Sequence, residues 1–431
     1  MVVSFDHLHA GFLGCCGNDW IETPNFDRLA AEAVFFDQHF CENLDPAAAN
    51  HAWWTGQYQF PLDEKHQRAS ASFVEILHAR SVTSCLVVES DGRDETTVAP
   101  PFGEVLTVRG TDGFDVAENE TPFARAVTRC SDWLREGAGA MGPALLWIKS
   151  RGVPTPWVPP QAFAELYLDE FGLAEEATTV EELDDDDDVE ASSPAPAEEE
   201  APSGERDGSL DWRYAAAMYV AYMTLVDRWL GMLLATLNES PDWEDALLIV
   251  TTGAGQALGE HAPLGDETPL LRSESVQTPM WIRVPGSDQG GTRRQALAQT
   301  VDLPPTLLEW FCGADGIRNS ETGPAPPLAG RSLLPLLRNE PVAPREFVVL
   351  GNDRAEWGIR TSDFFYVEPG DQNAKPVPPP ARLFEKPHDR WDQSDVRSQY
   401  PQVAEKLQGM LLRQIKDLTA RSTGFSRSLQ E

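Results

Sequence analysis

Five short runs of β-branched and other apolar residues, at 2–5, 85–88, 144–148, 246–251 and 280–284, alternate with stretches whose apolar residues recur every three or four positions, at 73–80, 124–134 and 214–237. Near-continuous apolar strands separated by long helical segments are what a sheet buried on both faces requires, because each crossover lays a helix on one face. The rhythm predicts a layered α/β fold around a largely buried sheet. Thr23-Pro24 reads as an N-cap followed by a first-turn proline, ahead of Phe26, Leu29, Ala30 and Ala33. Beyond about residue 340 the pattern changes. Runs at 347–350, 358–361 and 364–367 lie close together and precede a helical period over 403–418, which predicts a small α+β unit. The expected division is 1–340 and 341–431.

Charge limits the partners. The chain has 69 acidic against 34 basic residues, a net of −35, and shows no local basic patch. Nucleic acid and anionic membrane surfaces are therefore not expected partners. Residues 175–207 hold 15 of the acidic residues, including the run Asp184 to Asp188, and a single basic one, Arg206. Self-repulsion and lack of apolar residues predict a solvated, disordered insertion, with docking to a basic partner as its functional reading. The six cysteines have no metal-ligand spacing and read as free thiols. With no run of 18 apolar residues and no charged segment leading into an apolar one, a cytoplasmic protein is the expectation. The indoles, Trp212, Trp229 and Trp243 among them, stand in helical-period contexts and read as core or interface.

The stretch FDHLHAGFLGCCGNDWIETPNFDRLAAEAVFF from Phe5 resembles the opening of sulfatases, in the alkaline phosphatase superfamily. Further segments follow in the family's order. They include TGQY at 55–58, TPWVPPQAFAELY at 155–167, DRWLGMLLATL from Asp227, LGEH at 258–261, VQTPMWIRVPG at 276–286, DLPPTLLEW from Asp302, GRSLLPLL at 330–337 and LFEKPHDRWDQSDV from Leu383. The resemblance implies a large mixed sheet sandwiched by helices, with a small C-terminal α+β subdomain. It also implies a chemistry in which a formylglycine made from cysteine or serine attacks a sulfate ester. A divalent cation, usually calcium, held by four carboxylate or amide side chains, polarises that ester.

Position by position, the residues for that chemistry are missing. The nucleophile position falls on Pro46 and the arginine of the same motif on Asn50, while Cys41 lies five residues too early. Of the opening aspartate pair Asp6 remains and His7 stands second; the later Asp-Asn/His pair is Gly253-Ala254. Glu89 and Asp91 stand where a lysine and a histidine belong, Val153-Pro154-Thr155-Pro156 carries no histidine, and another lysine position is Thr268. A sulfate ester would then meet Asp6, Glu89 and Asp91 without any counter-charge. His261 of LGEH reads as a hydrogen-bonded structural histidine, and Asp227 and Asp302 as capping or packing groups.

The first reading is thus a catalytically inactive, pseudosulfatase-like protein with a binding or regulatory role and no cofactor. Its expected partner is another protein, for instance an active relative. The alternative is a sulfuric- or phosphoric-ester hydrolase in which Asp6 and His7, with His51, Glu89 and Asp91 as cleft residues, hold calcium or a transition metal.

Overall fold

The computed structural model describes residues 1–60, 72–90, 101–136, 142–168, 208–240, 243, 245–261, 270–318, 328–352, 356–370 and 379–428. Residues 175–207, Asp91 and Thr268 lie outside them. The strands are β1 (Val2–His7), β2 (Val34–Phe36), β3 (His39–Phe40), β4 (Thr83–Glu89), β5 (Glu104–Val108), β6 (Ala144–Gly152), β7 (Leu248–Ala254), β8 (Met280–Arg283), β9 (Arg293–Arg294), β10 (Ala298–Gln299), β11 (Phe347–Gly351), β12 (Glu356–Thr361), β13 (Phe364–Pro369) and β14 (Arg382–Glu385). The main helices are α1 (Pro24–Glu32), α2 (Pro46–Thr55), α3 (Phe73–His78), α4 (Pro122–Arg135), α5 (Gln161–Leu168), α6 (Gly208–Glu239), α7 (Leu303–Arg318) and α8 (Pro401–Ser428).

The principal sheet has eight strands in the order β5-β4-β6-β1-β7-β8-β2-β9. Its first five run parallel, and β8 is antiparallel to both neighbours, so the sheet is mixed. Alternate side chains feed two separate cores. Val3, Phe5, Cys85, Val87, Leu146, Ile148, Leu248 and Val250 pack under α1, α4, α5 and α6. Val2, Leu86, Leu145, Trp147 and Ile249 pack under α2, α3 and α7. The expected helix–sheet–helix sandwich is what the chain forms. Of its three unforeseen strands, β2 is buried and apolar but only three residues long, while β5 and β9 are mostly exposed or two residues long, and burial writes little apolar pattern into such segments.

Thr23 holds the N-cap position of α1 and Pro24 its first turn, as expected, but the Thr23 side chain makes no capping bond: its Oγ1 accepts from the Gly14 amide. The helix start is capped instead by Asp227 of α6, whose carboxylate accepts from the amides of Asn25 (3.0 Å) and Phe26 (2.9 Å) and from the Asn25 side chain (2.8 Å). A full negative charge satisfies two orphan N–H groups and the positive end of the helix, which one hydroxyl cannot do. Of the core-or-interface alternatives for Trp212, the core is excluded: it stays 47% exposed and donates to the Leu258 carbonyl. Helix α6 from Trp212 onward is long and apolar enough to cross a membrane, but most of that apolar stretch is buried against α1, α4 and α5.

The C-terminal strands form the antiparallel sheet β11-β12-β13-β14. One face, with Val348, Leu350, Phe365, Val367 and Phe384, packs on Phe40, Cys41, Leu44 and Leu271 of the larger part. The other, with Val349, Ile359, Tyr366 and Leu383, is covered by Ala404, Leu407, Leu411 and Ile415 of α8. All six cysteines are free, four of them buried.

Candidate functional site

The carboxyl ends of β4, β6, β1 and β7 lie side by side, the usual place for a site in a parallel sheet. Along β1, Val3 and Phe5 turn to one core, so Ser4 and Asp6 turn to the other, where α2 lies. On β6, Lys149 is in register with Ser4 and shares the face of Trp147, whose indole donates to Ser4 Oγ (2.8 Å). From there the Lys149 ammonium reaches diagonally to Asp6 Oδ2 at 3.1 Å. The other Asp6 oxygen faces the Asn50 amide at 3.4 Å. Asp6 and Lys149 are each only 9% exposed.

This pair overturns the expectation of a cleft without counter-charge. Lys149 was invisible in the motifs because it sits inside an apolar strand run. The available signal was that context itself: an ammonium amid Leu145, Leu146, Trp147 and Ile148 must find an anion somewhere in the fold.

Pro46 stands at the first turn of α2, where its fixed φ and missing N–H suit a helix start. Asp45 is the N-cap: its side chain accepts from the Ala47 amide (2.9 Å), and its own amide donates to Asn43 (3.0 Å). Pro46, with no heteroatom on its side chain, thus forms the first turn of a helix capped by Asp45.

Gly253 of β7 lies beside Asp6, since Phe5 pairs with Thr252 and His7 with Ala254. A side chain there would be tightly crowded. Its Cβ would come within 3.1 Å of the Ala49 methyl and 3.2 Å of the Trp53 ring, both on α2. The helix has settled onto the strand where a ligand-bearing side chain would project.

Glu89, at the end of β4, is buried. One oxygen accepts from the Arg151 amide (2.9 Å), and the other has no hydrogen-bond partner among the described residues. Burial pushes its carboxyl up to about 7, with the Arg151 amide and Ser150 hydroxyl offsetting part of the effect and Asp6 adding to it. Between its ordinary range and about 7, the unfolded chain has lost the proton that the folded carboxyl keeps. Glu89 therefore lowers stability progressively as pH rises through that window. Glu89→Gln removes the effect: relative to its own difference from wild type at pH 5, the variant should gain up to about 3 kcal/mol at pH 8, measured by denaturant unfolding at both pH values.

His7 turns its Nδ1 to the Gly255 carbonyl (3.4 Å), and burial lowers its pKa, keeping it neutral at neutral pH. His51 sits on α2 one residue past Asn50, its Nδ1 3.3 Å from Thr55 Oγ1. Two further histidines are held by carboxylates: His9 Nε2 with Glu260 (3.0 Å), and His261 Nδ1 with the buried Glu274 (2.7 Å).

These residues do not fit a divalent metal. Asp6 has both oxygens engaged by nitrogen donors, Gly253-Ala254 offers no side-chain oxygen, and no three His, Cys, Asp or Glu side chains among the described residues converge on one point. The structure brings Asp6, Asn50 and Lys149 into contact. Glu89 is bound to the same strand through the backbone amide of Arg151, two residues after Lys149 on β6, and lies close enough for the Asp6 charge to act on it.

The likenesses agree with this frame. The Sulfatase family model matches residues 1–314. The multifunctional alkaline phosphatase superfamily protein PehA of Trinickia caryophylli is 24% identical over 393 residues, covering 74% of this chain and 72% of the relative. Among solved structures, BT4656, determined in complex with its substrate D-glucosamine-2-N,6-O-disulfate, superposes with a TM-score of 0.75 at 16% identity over 97% of both chains. The phosphonate monoester hydrolase of Agrobacterium radiobacter does so with a TM-score of 0.71 at 20% identity, over 98% of this chain and 95% of that one. With the mixed sheet, its helical layers and the match over residues 1–314 taken together, the chain belongs to the sulfatase family.

Proposed function

We propose that this protein is a non-catalytic member of the sulfatase family that keeps the fold as a binding or regulatory scaffold and needs no cofactor. The observation that carries the reading is Pro46. It starts α2 at the position the resemblance gives to the nucleophile, and its ring has nothing with which to attack a sulfur or phosphorus centre. The crowding at Gly253 and the engagement of Asp6 by Lys149 support the same reading, because the donor set lacks a cation's ligands. A hydrolase rebuilt around Asp6, His7 and Glu89 would need them to converge on one ion, and Asp6 already faces an ammonium. The partner in this reading is a protein, an active relative of the same family being one such. The acidic stretch 175–207 would suit a basic surface. The test is turnover: purified protein should hydrolyse neither an aryl sulfate nor an aryl phosphonate monoester above the rate of its Asp6→Asn variant.

A further inference from the structure

The Asp6–Lys149 pair has a consequence for how the cleft balances its charge, and it holds whether or not the cleft binds a partner. A buried carboxylate needs a cation, and a buried ammonium needs an anion, because either charge left alone in a poorly solvated site is strongly disfavoured. Here each is 9% exposed and the two are 3.1 Å apart. We propose that the Lys149 ammonium is the resident cation of this cleft. It replaces an ion with a covalently tethered charge, so that the site folds and persists without metal.

Three observations converge on this. The first is register. Lys149 stands opposite Ser4 on the adjacent parallel strand and on the face that α2 covers, so its four-carbon stem spans the step to Asp6 without leaving the sheet. The second is saturation of the acceptor. Asp6 Oδ1 faces the Asn50 amide and Oδ2 the ammonium, so an incoming divalent ion would have to displace one nitrogen donor and remain beside a positive charge. The third is space. The next place for an anionic ligand, Gly253, is closed by Ala49 and Trp53, and the following residue is Ala254. Among the described residues a +2 ion would thus gain one shared carboxylate and the amide oxygen of Asn50, where a hard cation needs six or more oxygens. An ammonium, with three donors and a single charge, is matched by one carboxylate.

The experiment is a set of thermal melts on the full chain: wild type, Asp6→Asn, Lys149→Met and the double variant, each with EDTA and with excess calcium, manganese or zinc. The expected result is a wild-type midpoint that neither chelator nor metal moves. Each single variant should lose several degrees, and the double variant should lose less than the sum of the two, since removing both charges leaves neither unpaired. A wild-type midpoint that falls in EDTA and is restored by a metal, with the response absent from Asp6→Asn, would overturn the proposal. Strictly additive losses in the cycle would do the same. The chelator arm on wild type decides the matter even where a variant fails to fold. Turnover alongside a metal-indifferent midpoint would defeat the non-catalytic reading and leave this proposal standing.

Discussion

Replacing Asp302 by alanine should leave little folded protein. Asp302 is fully buried just ahead of α7, and its carboxylate is shared by four donors. The amides of Gln299 and Arg331 each donate to it at 2.8 Å, and the Arg345 guanidinium grips both oxygens at 2.8 and 2.5 Å. Gln299 in turn ties the larger part to the C-terminal sheet, its side-chain amide donating to the Val349 carbonyl at 2.5 Å. The substitution orphans one buried amide, Gln299, and one part-buried amide, Arg331, and strands a guanidinium whose side chain is only 13% exposed. Breaking a buried pair on one side costs about 3–5 kcal/mol, and each unpaired buried group adds about 1 kcal/mol or more. That total is comparable to the whole stability of many domains. Soluble yield and the denaturant midpoint measure it, and Arg345→Met in the same background should recover part of the loss. A loss below about 1 kcal/mol would show that the group behaves like an exposed ion pair.

Gly253→Asp is the second. It places an aspartate where the resemblance expects a metal ligand, yet it should destabilise the fold by roughly 2–4 kcal/mol and confer no calcium binding. The first added atom meets the Ala49 methyl at 3.1 Å, and a methyl fixed to the helix backbone cannot rotate away. Helix α2 must shift, and Trp53, fully buried against Trp147, must repack. The new carboxylate would then be buried against an indole rather than water. Gly253→Ala, which adds one atom in the same direction, should fall between wild type and Gly253→Asp. Thermal midpoints with and without calcium separate the cases. A Gly253→Asp variant as stable as wild type and further stabilised by calcium would mean that the strand end is open.

The interior of the fold was legible from local sequence, because strands buried on both faces need an apolar stretch, as β1, β4, β6 and β7 have. A site without catalytic groups is proposed from the sequence too, since Pro46, Gly253 and Ala254 carry no side-chain heteroatom. What escaped was set by partners distant in the chain. Thr23-Pro24 has the local form of a capped helix start, but the cap comes from Asp227, 202 residues beyond Asn25. Lys149 lies 143 residues from Asp6, and only the pairing of β6 with β1 brings them together. Nothing in the neighbourhood of either residue names the other. Edge strand β5 escaped for the opposite reason: mostly exposed, it needs no apolar pattern to hold its place.

The central claim is that this sulfatase-family chain has lost ester hydrolysis, and the most direct measurement is the paired turnover assay. Wild type and Asp6→Asn, purified identically, are given an aryl sulfate and an aryl phosphonate monoester at matched protein concentration. The account predicts that the two preparations release product at the same rate, indistinguishable from buffer. Release by wild type that survives repurification and disappears in Asp6→Asn would contradict it.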